Sequence, residues 1–447
     1  ILRESVPFNM EADSLNCIVL GAEVQPGMPE WDIFVKEIRK EMTLKAGQRC
    51  TGIRRIFVPD NKLEEVWKAI ATSLAQTAIG NPLNATVRMG SLAGQAQRNE
   101  VKEQIQKLLA SSQIVYGSLD SVEVIDADPE KGAFMSPVLL MNDKPFTATA
   151  AHEVEAFGPV STIMPYKNMD EAIALSKLGK GSLVSTIVTA NHSEARHYVI
   201  GASTHHGRIL VLNNECAKEN TGHGSPLPLL VHGGPGRAGG GEEMGGIRGV
   251  KHYLQRTALQ GSPTTLTAVT QVYQPNAIGI KTDKHPFKKY FEELVIGEQI
   301  ITDKRLITSE DIDKFAALSG DHFYAHIKST DFTGTMFEQQ VAHGYLIMSI
   351  AAGLFVDSYE KNPVLLNYGI DELRFTKPVY PGAEVYIRFT CKEKLPNDKR
   401  VIEKPEDFKR GDDIEKGIVK WLVEFLDETD EITGVATILT MVAKQQH

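Results

Sequence analysis

The chain has 447 residues, 42% of them hydrophobic and 23% charged, with a formal net charge of -9; this is globular composition in a chain too long for one core, so two or more domains are expected. The negative balance argues against general nucleic-acid binding, and neither a signal-peptide pattern nor an apolar run of about eighteen residues points to a membrane. Four cysteines, spread without a Cys-x-x-Cys pair, disfavour a zinc site or a disulfide framework and suit a reducing cytoplasm.

In chain order, NCIVLG from Asn16 reads as a buried strand, which makes Cys17 an inert core thiol. From Trp31 to about Ile209, helical periods such as LEEVWKAIATSLAQTAI and RNEVKEQIQKLLASS alternate with β-rich runs such as RRIFVP and STIVTA. That alternation predicts an α/β domain with a mostly parallel sheet. HGGPGRAGGGEEMGGIRGV from His232 is a glycine-dense stretch without the Gly-Lys-Ser/Thr ending of a P-loop; it reads as a long loop at the entrance of a binding site. Residues 261–285, with Pro263 and Pro275 and little periodicity, read as linker. From Phe287 the pattern becomes a strand, the helix ITSEDIDKFAALSG, a loop, an apolar helix from His343 to Val356, and strands FTKPV, EVYIRFTCKEKL, KGIVKWLVEFLDE and TGVATILTMVAK. The second helix is apolar around most of its circumference and is expected to be buried inside the antiparallel strands.

Chemistry concentrates first at LKAGQRCTGIRR, where Cys50 stands in a turn beside several cations, a setting that lowers a thiol pKa and favours attack on a carbonyl carbon. Glu11 is a candidate to activate water against the resulting thioester. Together with GNPLNATVRMGSL, GAFMSPVLL and VEAFGPV, in that order, these segments resemble the aldehyde dehydrogenase superfamily. The resemblance implies Cys50 as nucleophile, Glu11 as general base, and Glu155 and Phe157 as the pair that holds the nicotinamide ribose and ring. The family's Glu-Leu-Gly-Gly-Lys stands here as Glu11-Ala12-Asp13-Ser14-Leu15, which keeps the acid and alters its backbone setting. No nucleotide-binding half precedes Glu11, so the N-terminal part of such an enzyme, with its share of the oxyanion hole, is expected to be largely absent from this chain. HYLQRTALQG either adds a strand to a neighbouring subunit, as in that family, or packs within its own.

The last module carries Ser319-Gly320-Asp321, then His326, then AHGYL. This resembles the MaoC-like (R)-specific enoyl-CoA hydratases of hot-dog fold, over about residues 285–447. The resemblance implies that Asp321 and His326 hold and add water, while the N–H of Gly344 at a helix N-terminus steadies the enolate oxygen. Phe323-Tyr324 replaces the family's Asn-Pro, which implies a different acyl substrate; His322 reads as a solvated bystander.

The expected organisation is therefore an α/β aldehyde dehydrogenase catalytic portion over residues 1–270, a linker over 271–284 and an α+β hot-dog hydratase domain over 285–447. That order resembles the PaaZ-type fusions of phenylacetate degradation, which open the ring of oxepin-CoA and oxidise the semialdehyde formed. It implies NADP (or NAD) as cofactor, a CoA thioester as substrate, no metal, a cytoplasmic homo-oligomer joined through the hot-dog domain and the dehydrogenase portion, and no nucleic-acid or membrane partner. Two other readings stay open: a related fusion acting on another CoA-linked aldehyde, and a hydratase carried on a non-catalytic dehydrogenase scaffold.

Overall fold

The computed structural model describes all residues except 1, 5, 7, 9, 226, 228, 229, 242–245, 357–360, 397–413, 446 and 447. It divides into two units, Ile1–Arg256 and Thr257–His447.

In the first unit the elements are β1 (Asn16–Leu20), α1 (Pro29–Thr43), β2 (Ile53–Pro59), α2 (Leu63–Ala75), α3 (Gln95–Leu109), β3 (Gln113–Tyr116), β4 (Val138–Met141), β5 (Val160–Tyr166), α4 (Met169–Lys177), β6 (Ser182–Val188), α5 (His192–Ala202), β7 (His206–Leu212), β8 (His232–Gly234), β9 (Gly239–Gly241) and α6 (Ile247–Tyr253). Strands β1 to β7 form one sheet in the order β3-β4-β5-β2-β1-β6-β7. Every pairing is parallel except β3 with β4. The central strands β1, β2 and β6 are buried at every position, as a sheet covered on both faces requires. Helix α1 shows how one cover forms. Pro29 starts it, Glu30 and Asp32 sit in its first turn, and Trp31, Phe34, Ile38 and Met42 line its buried face.

The glycine-dense segment is a hairpin rather than an open loop. Strands β8 and β9 pair antiparallel, and Gly239 bridges Glu11 while the Gly240 N–H donates to the Met10 carbonyl at 2.7 Å. Gly239 is left-handed (φ 59°), and a Cβ there would lie 1.9 Å from the Met10 oxygen. The glycines serve backbone-to-backbone packing. Residues 242–245 of this segment lie outside the described residues. After α6, residues 254–261 hold no strand, and Leu254 and Leu259 are exposed.

The second unit starts earlier than composition suggested. Residues Pro263–Thr270 form a helix, α7, capped by Ser262, and Tyr273 is buried with its N–H on the Lys392 carbonyl. Pro263 occupies the first turn of that helix, where its missing N–H costs nothing, so a residue read as a linker signal is a helix start. There follow β10 (Ile280–Lys281), β11 (Glu298–Ile301), β12 (Arg305–Leu306), α8 (Ser309–Ser319), α9 (Gly344–Phe355), β13 (Val364–Phe375), β14 (Glu384–Leu395), β15 (Lys416–Leu426) and β16 (Ile432–Ala443). The sheet runs β10-β11-β14-β15-β16-β13, with β12 on β14. FTKPV is not a strand: β13 ends at Phe375, and the strand is the preceding VLLNYGIDELRF.

Helix α9 seats Leu346, Ile347, Ala351 and Phe355 against this sheet, where the Phe355 ring meets Phe389 edge-on at 4.6 Å and Trp421 at 5.7 Å. Its other side is open: Tyr345 is 69% exposed, and Ser349 and Gly353 are exposed along the same helix, so it is buried on one face instead of all round.

Candidate functional site

The Cys50 turn is built from backbone strain and two motif glycines. Lys45 and Ala46 are left-handed (φ 54° and 51°), and Gly47 follows at φ 70°. A Cβ on Gly47 would stand 2.2 Å from the Gly158 oxygen, so the glycine of AGQRC and that of EAFGPV meet main chain to main chain. Arg54 locks the contact. Its guanidinium donates to the carbonyls of Gly47, Arg49 and Gly158 and to the Glu155 carboxylate at 3.1 Å. From the other side Asn16, fully buried, donates to the carbonyls of Cys50 at 2.8 Å and Gly52 at 3.1 Å, and its oxygen accepts from Ser14 Oγ and the Val184 N–H.

Cys50 is exposed. Its thiol is not activated in the way the flanking cations suggested. Burial of the sulfur and the negative charge of Glu11 push its pKa up, against smaller lowering effects from the Thr51 N–H and Arg49. The cations are committed elsewhere. Arg49 pairs with Glu41 at 2.8 Å, Arg54 holds the turn, and Arg55 is fully buried, donating to carbonyls of Leu15, Leu175 and Ser176 and to His152 Nδ1.

Glu11 does come near the sulfur, through a residue that sequence reasoning passed over. His232, the first residue of β8, places Nε2 at 3.8 Å from Cys50 Sγ and 3.6 Å from Glu11 Oε1. The Glu11 segment is held by side chains in place of glycines: Ser14 Oγ accepts from the Leu183 N–H, and Asp13 pairs with Arg237, which also donates to the His152 and Glu153 carbonyls.

Glu155 and Phe157 lie on the same loop with different exposure. The Phe157 ring is 36% exposed with the Arg54 guanidinium 5.4 Å from its centre. The Glu155 side chain is 9% exposed, and its two oxygens accept from Arg54 Nε and the Ser14 N–H. Burial raises its pKa, and Arg54 opposes the rise. Cys17 is fully buried, with Ser185 Oγ at 3.2 Å.

In the second unit, α8 ends at Gly320 in the left-handed conformation (φ 77°), which turns the chain into Asp321. Asp321 Oδ1 accepts from the Phe323 N–H, an Asx turn, and the residue is exposed. His326 Nδ1 is 2.7 Å from the Val341 carbonyl, so Nδ1 carries the proton and Nε2 is the bare, basic nitrogen. His343, buried and not singled out in the sequence, stacks on it with ring centres 3.7 Å apart and donates Nε2–H to the Asp321 carbonyl. The signal for it was its place in AHGYL, directly before the helix start. Donor atoms of Asp321, His326 and His343 lie within 4.8 Å of one another. The two imidazole planes lie 25° apart, and His326 Nδ1 and His343 Nε2 each already face a carbonyl, an arrangement open to proton chemistry. Gly344 opens α9, and a Cβ there would lie 2.4 Å from the Phe375 ring. Phe323 and Tyr324 are exposed and pack on each other at 4.5 Å.

Among the described residues no helix is long and apolar enough to cross a membrane. The model of the aldehyde dehydrogenase family matches residues 28–259, and that of the MaoC like domain matches residues 292–409. Protein MaoC of Klebsiella aerogenes is 48% identical over 314 residues, 70% of this chain and 91% of that one. A 3,4-dehydroadipyl-CoA semialdehyde dehydrogenase of Aromatoleum evansii is 40% identical over 235 residues, 53% of this chain and 46% of the relative, so the chain spans about half the length of that enzyme. Among solved structures, the monoamine oxidase regulatory protein of Archaeoglobus fulgius shares 25% identity at a TM-score of 0.31 and covers 38% of this chain and 99% of its own. With the parallel sheet, the Cys50 turn and the antiparallel sheet that packs on α9 now described, the two family models and the likeness to Protein MaoC identify the chain as a member of the aldehyde dehydrogenase family whose dehydrogenase portion is fused to a MaoC-like domain.

Proposed function

We propose that this chain serves a two-step conversion of one CoA-linked substrate: hydrolytic ring opening of oxepin-CoA at Asp321 and His326, then NADP-dependent oxidation of the semialdehyde at Cys50, as in phenylacetate degradation. Water addition to a cyclic enol ether conjugated with a thioester gives a hemiacetal that collapses to an open-chain aldehyde. Such an aldehyde condenses readily with its own acidic carbon, so an oxidising thiol on the same polypeptide limits loss. In the first step His326 Nε2 takes a proton from water, the protonated carboxyl of Asp321 gives its proton to carbon and regains one from the His326 imidazolium, and the Gly344 N–H steadies the enolate oxygen. In the second, Cys50 adds to the aldehyde and Glu11 activates the water that releases the acid.

The dinucleotide would supply hydride acceptance. Phe157 fits the nicotinamide ring because its own ring is exposed, and Glu155 would reach the ribose with the lone pairs left by Arg54 and Ser14. A cytoplasmic homo-oligomer, joined at least through residues 285–447, completes the proposal; the open side of α9 supports it.

The observation that carries the reading is the pairing of Asp321 with an Nε2-basic His326 in a domain fused to a dehydrogenase portion that keeps Cys50 and Glu11 together. In the complete protein, with its nucleotide-binding half, Cys50→Ala should abolish NADPH formation while ring opening continues; unchanged NADPH formation refutes the assignment. Asp321→Asn should stop ring opening and leave oxidation of a supplied aldehyde running. The likeness to a 3,4-dehydroadipyl-CoA semialdehyde dehydrogenase favours a second reading, oxidation of a different CoA-linked semialdehyde with the same residue roles. Comparing rates on oxepin-CoA, straight-chain enoyl-CoA esters and 3,4-dehydroadipyl-CoA semialdehyde separates the two.

A further inference from the structure

Cys50 faces a difficulty in becoming a nucleophile. Its sulfur is partly desolvated and lies near the Glu11 carboxylate, and both influences hold the proton on sulfur. Arg49, a cation that lowers its pKa, is turned to Glu41 and to the Gly224 carbonyl. If Glu11 took this proton, the thiolate would keep only the weak support of Arg49, whose guanidinium is already paired with Glu41.

His232 is positioned to resolve this. Its side chain is 10% exposed, and β8 holds it by main-chain pairing: His232 faces Gly241, and Gly239 at the far end of the hairpin bridges Glu11. One ring atom, Nε2, faces both reactive groups, at 3.8 Å from Cys50 Sγ and 3.6 Å from Glu11 Oε1. These separations are long for hydrogen bonds, as is common for catalytic contacts before substrate tightens them.

We propose that His232 is the general base that deprotonates Cys50, with Glu11 stabilising the imidazolium so formed. The S–H bond breaks and an Nε2–H bond forms. The sulfur keeps the electron pair and uses it on the aldehyde carbon, while the new N–H lies between two anions, thiolate and carboxylate. Glu11 thereby has two tasks in sequence, holding the imidazolium during attack and activating water during release. Of the charged groups, Glu11 raises and Arg49 lowers the Cys50 pKa, and Glu11 also faces His232.

The inference rests on Cys50 being the nucleophile, and its test needs neither cofactor nor aldehyde. Iodoacetamide alkylates thiolates, so its rate against pH, with the modified peptide located by mass spectrometry, follows the ionisation of Cys50. In His232→Phe the midpoint of that profile should move up by about one unit or more, making alkylation about tenfold slower at neutral pH, while the plateau at high pH stays put. His232→Gln, which keeps a polar group of similar reach and removes the base, should behave like the Phe variant. Glu11→Gln should move the midpoint by weakening the imidazolium and relieving the sulfur, a change that His232→Phe makes smaller because the two act as a unit. Alkylation of Cys50 with the same midpoint in wild type and both His232 variants overturns the role of His232 alone. If Cys50 resists iodoacetamide across the range while another thiol reacts, the nucleophile assignment falls, and this inference with it.

Discussion

Removing Arg54 should expose how much of the Cys50 turn depends on one buried ion pair. Arg54 and Glu155 have side chains 5% and 9% exposed and meet at 3.1 Å. In Arg54→Met the methionine fills part of the space, the carbonyls of Gly47, Arg49 and Gly158 lose their donor, and Glu155 is left as an unpaired buried carboxylate. Breaking a buried pair from one side costs about 3–5 kcal/mol, and the orphaned carbonyls put this case at the upper end of that range. Burial already raises the Glu155 pKa and Arg54 opposes it, so the variant raises it further. A carboxylate whose folded pKa lies above its unfolded value favours the fold most at low pH and loses that contribution as pH rises through the folded pKa. The deficit of Arg54→Met should therefore be smaller near pH 5.5, where the fold still stands, than near pH 7.5. Urea unfolding at both pH values, with Glu155→Gln and the double variant closing a cycle, measures this. In the double variant about half of the loss should return. A single-variant loss below about 1 kcal/mol, or a deficit that grows on acidification, refutes the account.

Two further outcomes follow from the same geometry. Gly47→Ala forces a Cβ to 2.2 Å from the Gly158 oxygen at φ 70°, so it should cost about 3 kcal/mol or more and lower Tm by at least several degrees; a loss under 1 kcal/mol would mean the two loops part without consequence. The first unit should be acid-labile. His152, His206 and His223 are buried and neutral, each with its pKa pushed down to about 3, chiefly by desolvation. A depressed folded pKa contributes stability above the unfolded value near 6.5 that is lost as pH falls toward 3, at about 1.4 kcal/mol per pH unit for each histidine. Calorimetry from pH 7 to 4 should show the dehydrogenase portion unfolding at falling temperature; a transition independent of pH would contradict the neutral, buried state of the three rings.

What could be read in advance followed from how local each signal is. Helices α2, α3, α8 and α9 and strands β2, β6, β14, β15 and β16 announce themselves through periodicity within their own residues. Strand β13 did not: VLLNYGIDELRF mixes charge, glycine and apolar residues because its positions are half-exposed or exposed, so no clean alternation marks it. The helix α7 was hidden by Pro263, which marks both linkers and helix starts. At the site, Cys50, Glu11, Asp321 and His326 stand in motifs, and the structure brings the two members of each pair near one another. His232 and His343 escaped because their meaning lies in distant partners: 182 residues separate His232 from Cys50. The expectation of an acidic thiol failed for the same reason, since Arg49, Arg54 and Arg55 adjoin Cys50 in sequence while their charges point to Glu41, Glu155 and a cage of carbonyls.

The departure at Ala12-Asp13-Ser14 gains a physical meaning from these contacts. A glycine pair after the acid would let main chain approach main chain; here side chains do the holding. Ser14 Oγ links Asn16 to the Leu183 N–H, and Asp13 ties Arg237, on the turn between β8 and β9, to the strand segment that carries Glu11. One ion pair thus fixes the hairpin bearing His232 against the residue expected to act with it. Side chains of Asp13 and Arg237 are 34% and 21% exposed, so solvent screens the pair and its removal should cost only about 1 kcal/mol in global stability. Local effects should be larger. In Asp13→Ala the amide of Gly240, which donates to the Met10 carbonyl, should exchange with solvent about tenfold faster, with Tm nearly unchanged. Exchange at Gly240 equal to wild type would mean that the hairpin is held by its glycine main-chain contacts alone, and that Asp13 is no part of what keeps His232 and Glu11 in register.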